Sequence, residues 1–188
     1  MKRLLLIILL IGNTVFAQQP TLQPGDLLFF RDTTGMGNAV RESTGEYTHV
    51  AIAIDSVWTI DATPGDGVAL SLRYQGTGVK ADIYRLTIPF DTAAVVARAK
   101  SFTGQPYDNA FLPDNGALYC SELVYECYLD STGNHLFEAK PMNWRDRNGN
   151  MPQFWQEHFK KLGMPVPEGV PGTNPTDMSR SPLLRKVQ

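Results

Sequence analysis

Cysteine is scarce in this chain: Cys120 and Cys127 are the only two in 188 residues. That excludes a disulfide-scaffold fold, and the absence of a CxxC pair argues against a thioredoxin-like role. Histidine is nearly as rare. His49, His135 and His158 show no metal-ligand spacing, so no metal site is expected. There is no excess of positive charge, with 17 Lys and Arg against 19 Asp and Glu, which leaves nucleic-acid binding without its usual footprint. Long apolar runs are absent too. The longest, residues 4–11, falls far below the ~20 residues of a membrane span. Repeats and low-complexity blocks are missing, and nothing in the chain calls for a cofactor.

The N-terminus has the layout of a secretion signal. Lys2 and Arg3 precede the short apolar core, and Val15-Phe16-Ala17 gives a small-x-small site before Gln18. The expectation is a leader at 1–17 and a periplasmic or secreted mature chain, 18–188, forming one domain. Loss of Lys2 and Arg3 takes the formal charge from −2 to −4. Exported cysteines usually pair, yet these two cannot pair with each other. Seven residues of helix separate their Cα atoms by roughly 10 Å, beyond the ~7 Å a disulfide spans. A free thiol near a helix N-terminus in such a protein suggests a nucleophile.

Pattern and punctuation give the elements. Residues 26–30, 48–54, 57–61, 68–72 and 82–86 read as short strands, and 36–45 as a loop or short helix. Asp91 is a plausible cap for a helix running to about 102. The cysteine helix is expected at about 118–129 and a last helix at 151–162. From 163 onward, Pro165, Pro167, Pro171, Pro175 and Pro182 predict an extended arm without regular structure, lining a cleft or strapping the surface. The fold class is α+β: a curled, mainly antiparallel sheet packed against the helix that bears the cysteine.

Cys120, Leu123, Val124 and Cys127 share one helical face, so Cys120 points at the sheet from the first turn while Cys127 reads as a small buried hydrophobe. His49 is the candidate base. Alternation places it on one strand face with Ala51 and Ala53, whose small side chains leave space for a close helix. A three-residue hairpin loop at 54–56 would set Asp61 opposite His49, where its carboxylate could fix the imidazole tautomer. A two-residue loop would put the pair on opposite faces, and the alternative role for Asp61 is to cap the turn at 62–65. In the resulting mechanism, Cys120 attacks an acyl carbon and the backbone N–H of Cys120 helps to hold the oxyanion. Candidates for further substrate or oxyanion contacts are Tyr47, Tyr119, Ser121 and Glu122. Tyr47 could equally be a buried structural tyrosine. Glu122 could bind a substrate ammonium or hold backbone N–H groups at the helix start.

With these residues in view, the chain resembles the YaeF/YiiX-like permuted papain-fold hydrolases, relatives of the NlpC-type cell-wall enzymes. The match rests on Pro24-Gly25-Asp26-Leu27-Leu28-Phe29-Phe30, Thr48-His49-Val50-Ala51-Ile52, Ile60-Asp61-Ala62 with Gly67-Val68, Gly104-Gln105-Pro106-Tyr107-Asp108, Tyr119-Cys120-Ser121-Glu122-Leu123-Val124 and the tail from Glu168 to Pro175. The resemblance implies a circularly permuted papain-like fold with Cys120 as nucleophile, His49 as base and Asp61 as orienting acid. It implies hydrolysis of amides, with cell-wall peptides or N-acyl amines as the leading small substrates. A lipid acyltransferase or phospholipase-like enzyme, or a binding module with a vestigial thiol, are the alternatives.

Overall fold

A computed structural model describes residues 21–72 and 80–187. The expected leader at 1–17 lies outside these residues. Among these residues eight strands are formed: β1 (Leu27–Phe30), β2 (His49–Ala53), β3 (Thr59–Thr63), β4 (Gly67–Ser71), β5 (Ala81–Leu86), β6 (Lys140–Pro141), β7 (Pro171–Gly172) and β8 (Leu184–Lys186). Five helices accompany them: α1 (Gly35–Thr44), α2 (Thr92–Ser101), α3 (Cys120–Cys127), α4 (Gln153–Leu162) and α5 (Pro175–Ser179).

The main sheet has the order β4-β3-β2-β1-β5-β8, and every pairing in it is antiparallel. β1 lies inside it, and its four consecutive apolar residues are all buried, as a strand covered on both faces requires. One face carries Leu27, Phe29, Val50, Ile52 and Ile60 against Leu123, Val124 and Cys127 of α3. The other gathers Leu28, Phe30, Ala51, Ala53, Ala81 and Ile83. A third cluster, built on Phe111, Tyr119, Trp144, Trp155 and Phe159, joins α1 and α4 to the loops around them. This is the α+β arrangement that the sequence indicates, with the cysteine helix packed on an antiparallel sheet.

Three expectations are corrected. The cysteine helix packs on the Val50 and Ile52 face, not on the alanine face; both faces of β2 are buried, and the alanines serve the second cluster. Residues 57 and 58 belong to the hairpin loop, so the β2–β3 register pairs Ala53 with Thr59 and Ile52 with Ile60. The tail is not devoid of regular structure. Pro175 occupies the start of α5, where its missing N–H costs nothing, and Asn174 caps that helix by accepting from Asp177 N–H at 2.8 Å. Beyond Pro182, β8 adds to the sheet beside β5.

The loop that delivers Cys120 is fastened to β4. Val68 N–H donates to Gln105 O at 2.9 Å, and Gly104 N–H returns to Val68 O at 2.9 Å. Gly67 makes this possible. Its φ is +64°, and a Cβ there would lie 2.2 Å from Gln105 O. Asp108 then organises the loop with its carboxylate, accepting from Ala110 N–H at 2.8 Å and Leu112 N–H at 2.7 Å. Gly67→Ala is therefore expected to lower unfolding free energy by at least about 2 kcal/mol, because it adds left-handed strain to a backbone clash. Urea denaturation measures this.

Candidate active site

α3 begins at Cys120 itself, with Tyr119 as its N-cap residue in an extended conformation. Glu122, at the third helical position, turns back so that Oε2 accepts from Tyr119 N–H at 3.4 Å. The N–H groups of the first turn have no carbonyl one turn earlier to donate to, so they remain available around the thiol. Leu123, Val124 and Cys127 anchor the helix below it.

His49 is the first residue of β2 and pairs with Phe30 of β1, whose ring centroid lies 5.7 Å from its own. Continuing the observed β2–β3 register sets Asp61 beside Ala51, one diagonal step from His49 rather than directly opposite. The shift from the expected register is two residues, so the faces are preserved and the side chains still meet. Nε2 of His49 lies 2.6 Å from Asp61 Oδ2. Asp61 is almost fully buried. With Nε2 taken, Nδ1 is the nitrogen left for Cys120. Burial opposes charge on the imidazole, but the Cys120 sulfur and the Asp61 carboxylate outweigh it and raise the His49 pKa to about 10. The ring is an imidazolium at neutral pH.

Cys120 and His49 open into one cavity of about 750 Å³. Asp32 and Thr48 border it from the sheet side, and Thr173, Asn174 and Pro175 close it from the tail. Asp32 was not singled out by the sequence. Its carboxyl is lowered, with burial opposing while Thr34 bonding and the His49 charge prevail. Thr34, which caps α1, gives no sign in the sequence that it also holds a carboxylate beside a histidine.

The remaining candidates fall in different places. Ser121 lines the cavity, and its buried hydroxyl has no hydrogen-bond partner. Tyr119 also lines it, with its hydroxyl accepting from Thr173 N–H at 3.0 Å. Tyr47 does not. Its hydroxyl bonds Asp82 and lies 3.1 Å from Tyr84 Oη, while its ring packs on Phe29, so it is a structural tyrosine on the far side of β1. Glu122 is buried beneath the helix start. Burial pushes its carboxyl up to about 8, against the pull of the Tyr119 N–H and with Asp108 and Glu126 adding to the rise. Cys127 is sealed in the core, and burial pushes its thiol up to about 12.

The fold and the order of these residues, histidine strand before cysteine helix, are those of a permuted papain-like protein. The chain belongs to the permuted papain-like amidase family, YaeF/YiiX, C92, whose sequence model matches residues 21–188. It is 23% identical to the uncharacterized protein YiiX of Escherichia coli (strain K12) over 203 residues, covering 99% of this chain and 95% of that one. The crystal structure of metalloprotein yiiX from Escherichia coli O157:H7 superposes with a TM-score of 0.72 at 22% identity, covering 91% of this chain and 98% of that one. The residues here do not fit a comparable metal site. Among the described residues no group of three or more His, Cys, Asp or Glu is placed to hold an ion, and Nε2 of His49 is occupied by Asp61.

The Glu122 carboxyl gives a pH signature. Its folded pKa of about 8 exceeds the ordinary 4.5, so the folded state retains a proton that the unfolded chain releases. The stabilising effect is complete below 4.5 and is lost as pH rises through 8. Glu122→Gln keeps a carbonyl acceptor for Tyr119 N–H without the ionisation. Its stability relative to the parent is expected to climb between pH 4.5 and 8 and to level off above, as read by urea unfolding across that range.

Proposed function

We propose that this protein is an exported cysteine amidase in which Cys120 is the nucleophile, His49 the general base and acid, and Asp61 the residue that orients His49. Membership of an amidase family supports hydrolase chemistry. The observation that carries the finer reading is the arrangement at the start of α3: a thiol and an imidazole open to one cavity, with the far nitrogen of that imidazole held 2.6 Å from a buried carboxylate. No helix among the described residues is long and apolar enough to cross a membrane. Export to the periplasm or medium rests on the leader at 1–17.

The attacking form is the Cys120 thiolate facing protonated His49, whose pKa the neighbouring sulfur and Asp61 raise to about 10. The sulfur attacks the amide carbonyl carbon, and the oxygen takes up charge facing the Cys120 N–H. Nδ1 of His49 gives its proton to the amine nitrogen as the C–N bond breaks, leaving a thioester on Cys120. The neutral imidazole then removes a proton from water, whose oxygen attacks the thioester. The carboxylic acid departs and the thiolate–imidazolium pair is restored. Asp61 holds Nε2–H throughout and stabilises the imidazolium.

Alkylation by iodoacetamide tests this without a known substrate. At pH 7, Cys120 should react at least on the order of tenfold faster than Cys127, and His49→Ala should slow Cys120 by roughly that factor while leaving Cys127 unchanged. Asp61→Asn should slow amide turnover by roughly 10²- to 10⁴-fold. Slow, equal labelling of both cysteines, followed by peptide mass spectrometry, would instead identify a binding module with an idle thiol.

A further inference from the structure

A second cavity, of about 240 Å³, adjoins the strap formed by residues 172–174. Thr173 and Asn174 line it and the catalytic cavity alike, so the two spaces share a wall. Neither Cys120 nor His49 borders the second one, so a ligand there is bound and not transformed. The strap itself is held close. Gly172 pairs with Lys140 between β6 and β7, and a Cβ on it would lie 2.9 Å from the Tyr119 hydroxyl. That hydroxyl accepts from Thr173 N–H at 3.0 Å. At ~30 Å³ per water the second cavity has room for about eight, below the ~300 Å³ at which drug-sized sites begin. Its occupant is small.

The shared wall holds an unmet bond. Thr173 is 8% exposed, and its Oγ1 has no hydrogen-bond partner among the described residues. A hydroxyl buried in this way is costly unless something bonds it, and a polar ligand beside the strap would do so. Phe137 and Met178, both buried, add apolar surface to the same cavity, with Pro182 beside them.

Charge selects the ligand. Four ionic side chains line the cavity, two of each sign. Asp177 of α5 and Arg180 just after it answer each other at 3.8 Å, and Asp177 Oδ2 also accepts from Asn174 Nδ2–H at 3.0 Å. Glu138 and Lys140 are different. Neither side chain has a partner among the described residues, and they form no ion pair with each other. An unanswered anion and an unanswered cation on one small cavity suit a ligand that carries both charges a few bonds apart. We infer that this cavity is a binding site for a free α-amino acid with an apolar side chain. Its carboxylate faces Lys140, its ammonium faces Glu138, a polar atom meets the Thr173 hydroxyl, and its side chain lies on Phe137 and Met178. The inference is independent of the thiol-amidase reading.

Isothermal titration of the full protein with three compounds of one carbon skeleton tests it: L-leucine, 4-methylpentanoate, which lacks the ammonium, and 3-methylbutylamine, which lacks the carboxylate. Leucine should bind roughly fivefold or more tighter than either analogue. Lys140→Gln and Glu138→Gln, at exposed positions, should each remove most of that preference, and Thr173→Val should weaken leucine binding about threefold. Circular dichroism checks that each variant is folded. Absence of leucine binding, or equal binding of all three compounds, would overturn the site. So would leucine binding that all three folded variants leave unchanged, because the ligand would then lie elsewhere.

Discussion

The bond between His49 Nε2 and Asp61 Oδ2 is the contact on which the site depends. It joins two neighbouring strands at one end of the sheet, and it decides which imidazole nitrogen is left to meet sulfur. Neither residue could keep its place alone. A buried carboxylate needs a donor, and a histidine at the start of a strand needs something to stop its ring from turning. The pair satisfies both needs and faces a helix start whose N–H groups have no partners of their own.

The rest of the molecule serves to bring that helix start to the imidazole. The loop before α3 is held on the rim of β4 by hydrogen bonds that only a glycine at 67 admits. Below the thiol, three side chains with no exposed surface lock the helix to the sheet. At its top, Glu122 closes back on Tyr119 N–H as an uncharged acid at neutral pH, which keeps a negative charge away from the Cys120 sulfur. The two cysteines of one helix therefore live in different chemistries. One borders the cavity beside an imidazolium, and the other is an apolar filler.

Much of this was legible in the sequence, for physical reasons that can be named. The run Leu27–Phe30 reads as a buried strand, and the Asp91 cap starts its helix as expected. The expectation that His49 and Asp61 share a face survived an error in the hairpin, because a slip of two residues preserves side-chain parity where a slip of one would not. The packing face of α3 was misread because small residues on a strand fit either a close helix or a tight second core. The prolines of the tail were read as breakers, although proline is at home in the first turn of a helix. The aromatic wall of the cavity was beyond reach. Its members, Met36 and Val40 of α1, Trp155 of α4, and Phe111, Met142 and Trp144 from two loops, follow no local pattern that says they converge.

The tail has a consequence for when this chemistry becomes available. Thr176 in α5 accepts from Tyr47 N–H at 2.9 Å and donates to Tyr47 O at 3.1 Å, two positions before His49, while Thr173 to Pro175 form part of the cavity rim. A growing polypeptide already carries thiol, imidazole and carboxylate when position 120 is reached, yet the clamp beside the imidazole is encoded more than fifty residues later. The enclosure of that sulfur is thus yoked to a segment synthesised after it: a product cut short before Thr173 would carry the thiol without the rim that surrounds it.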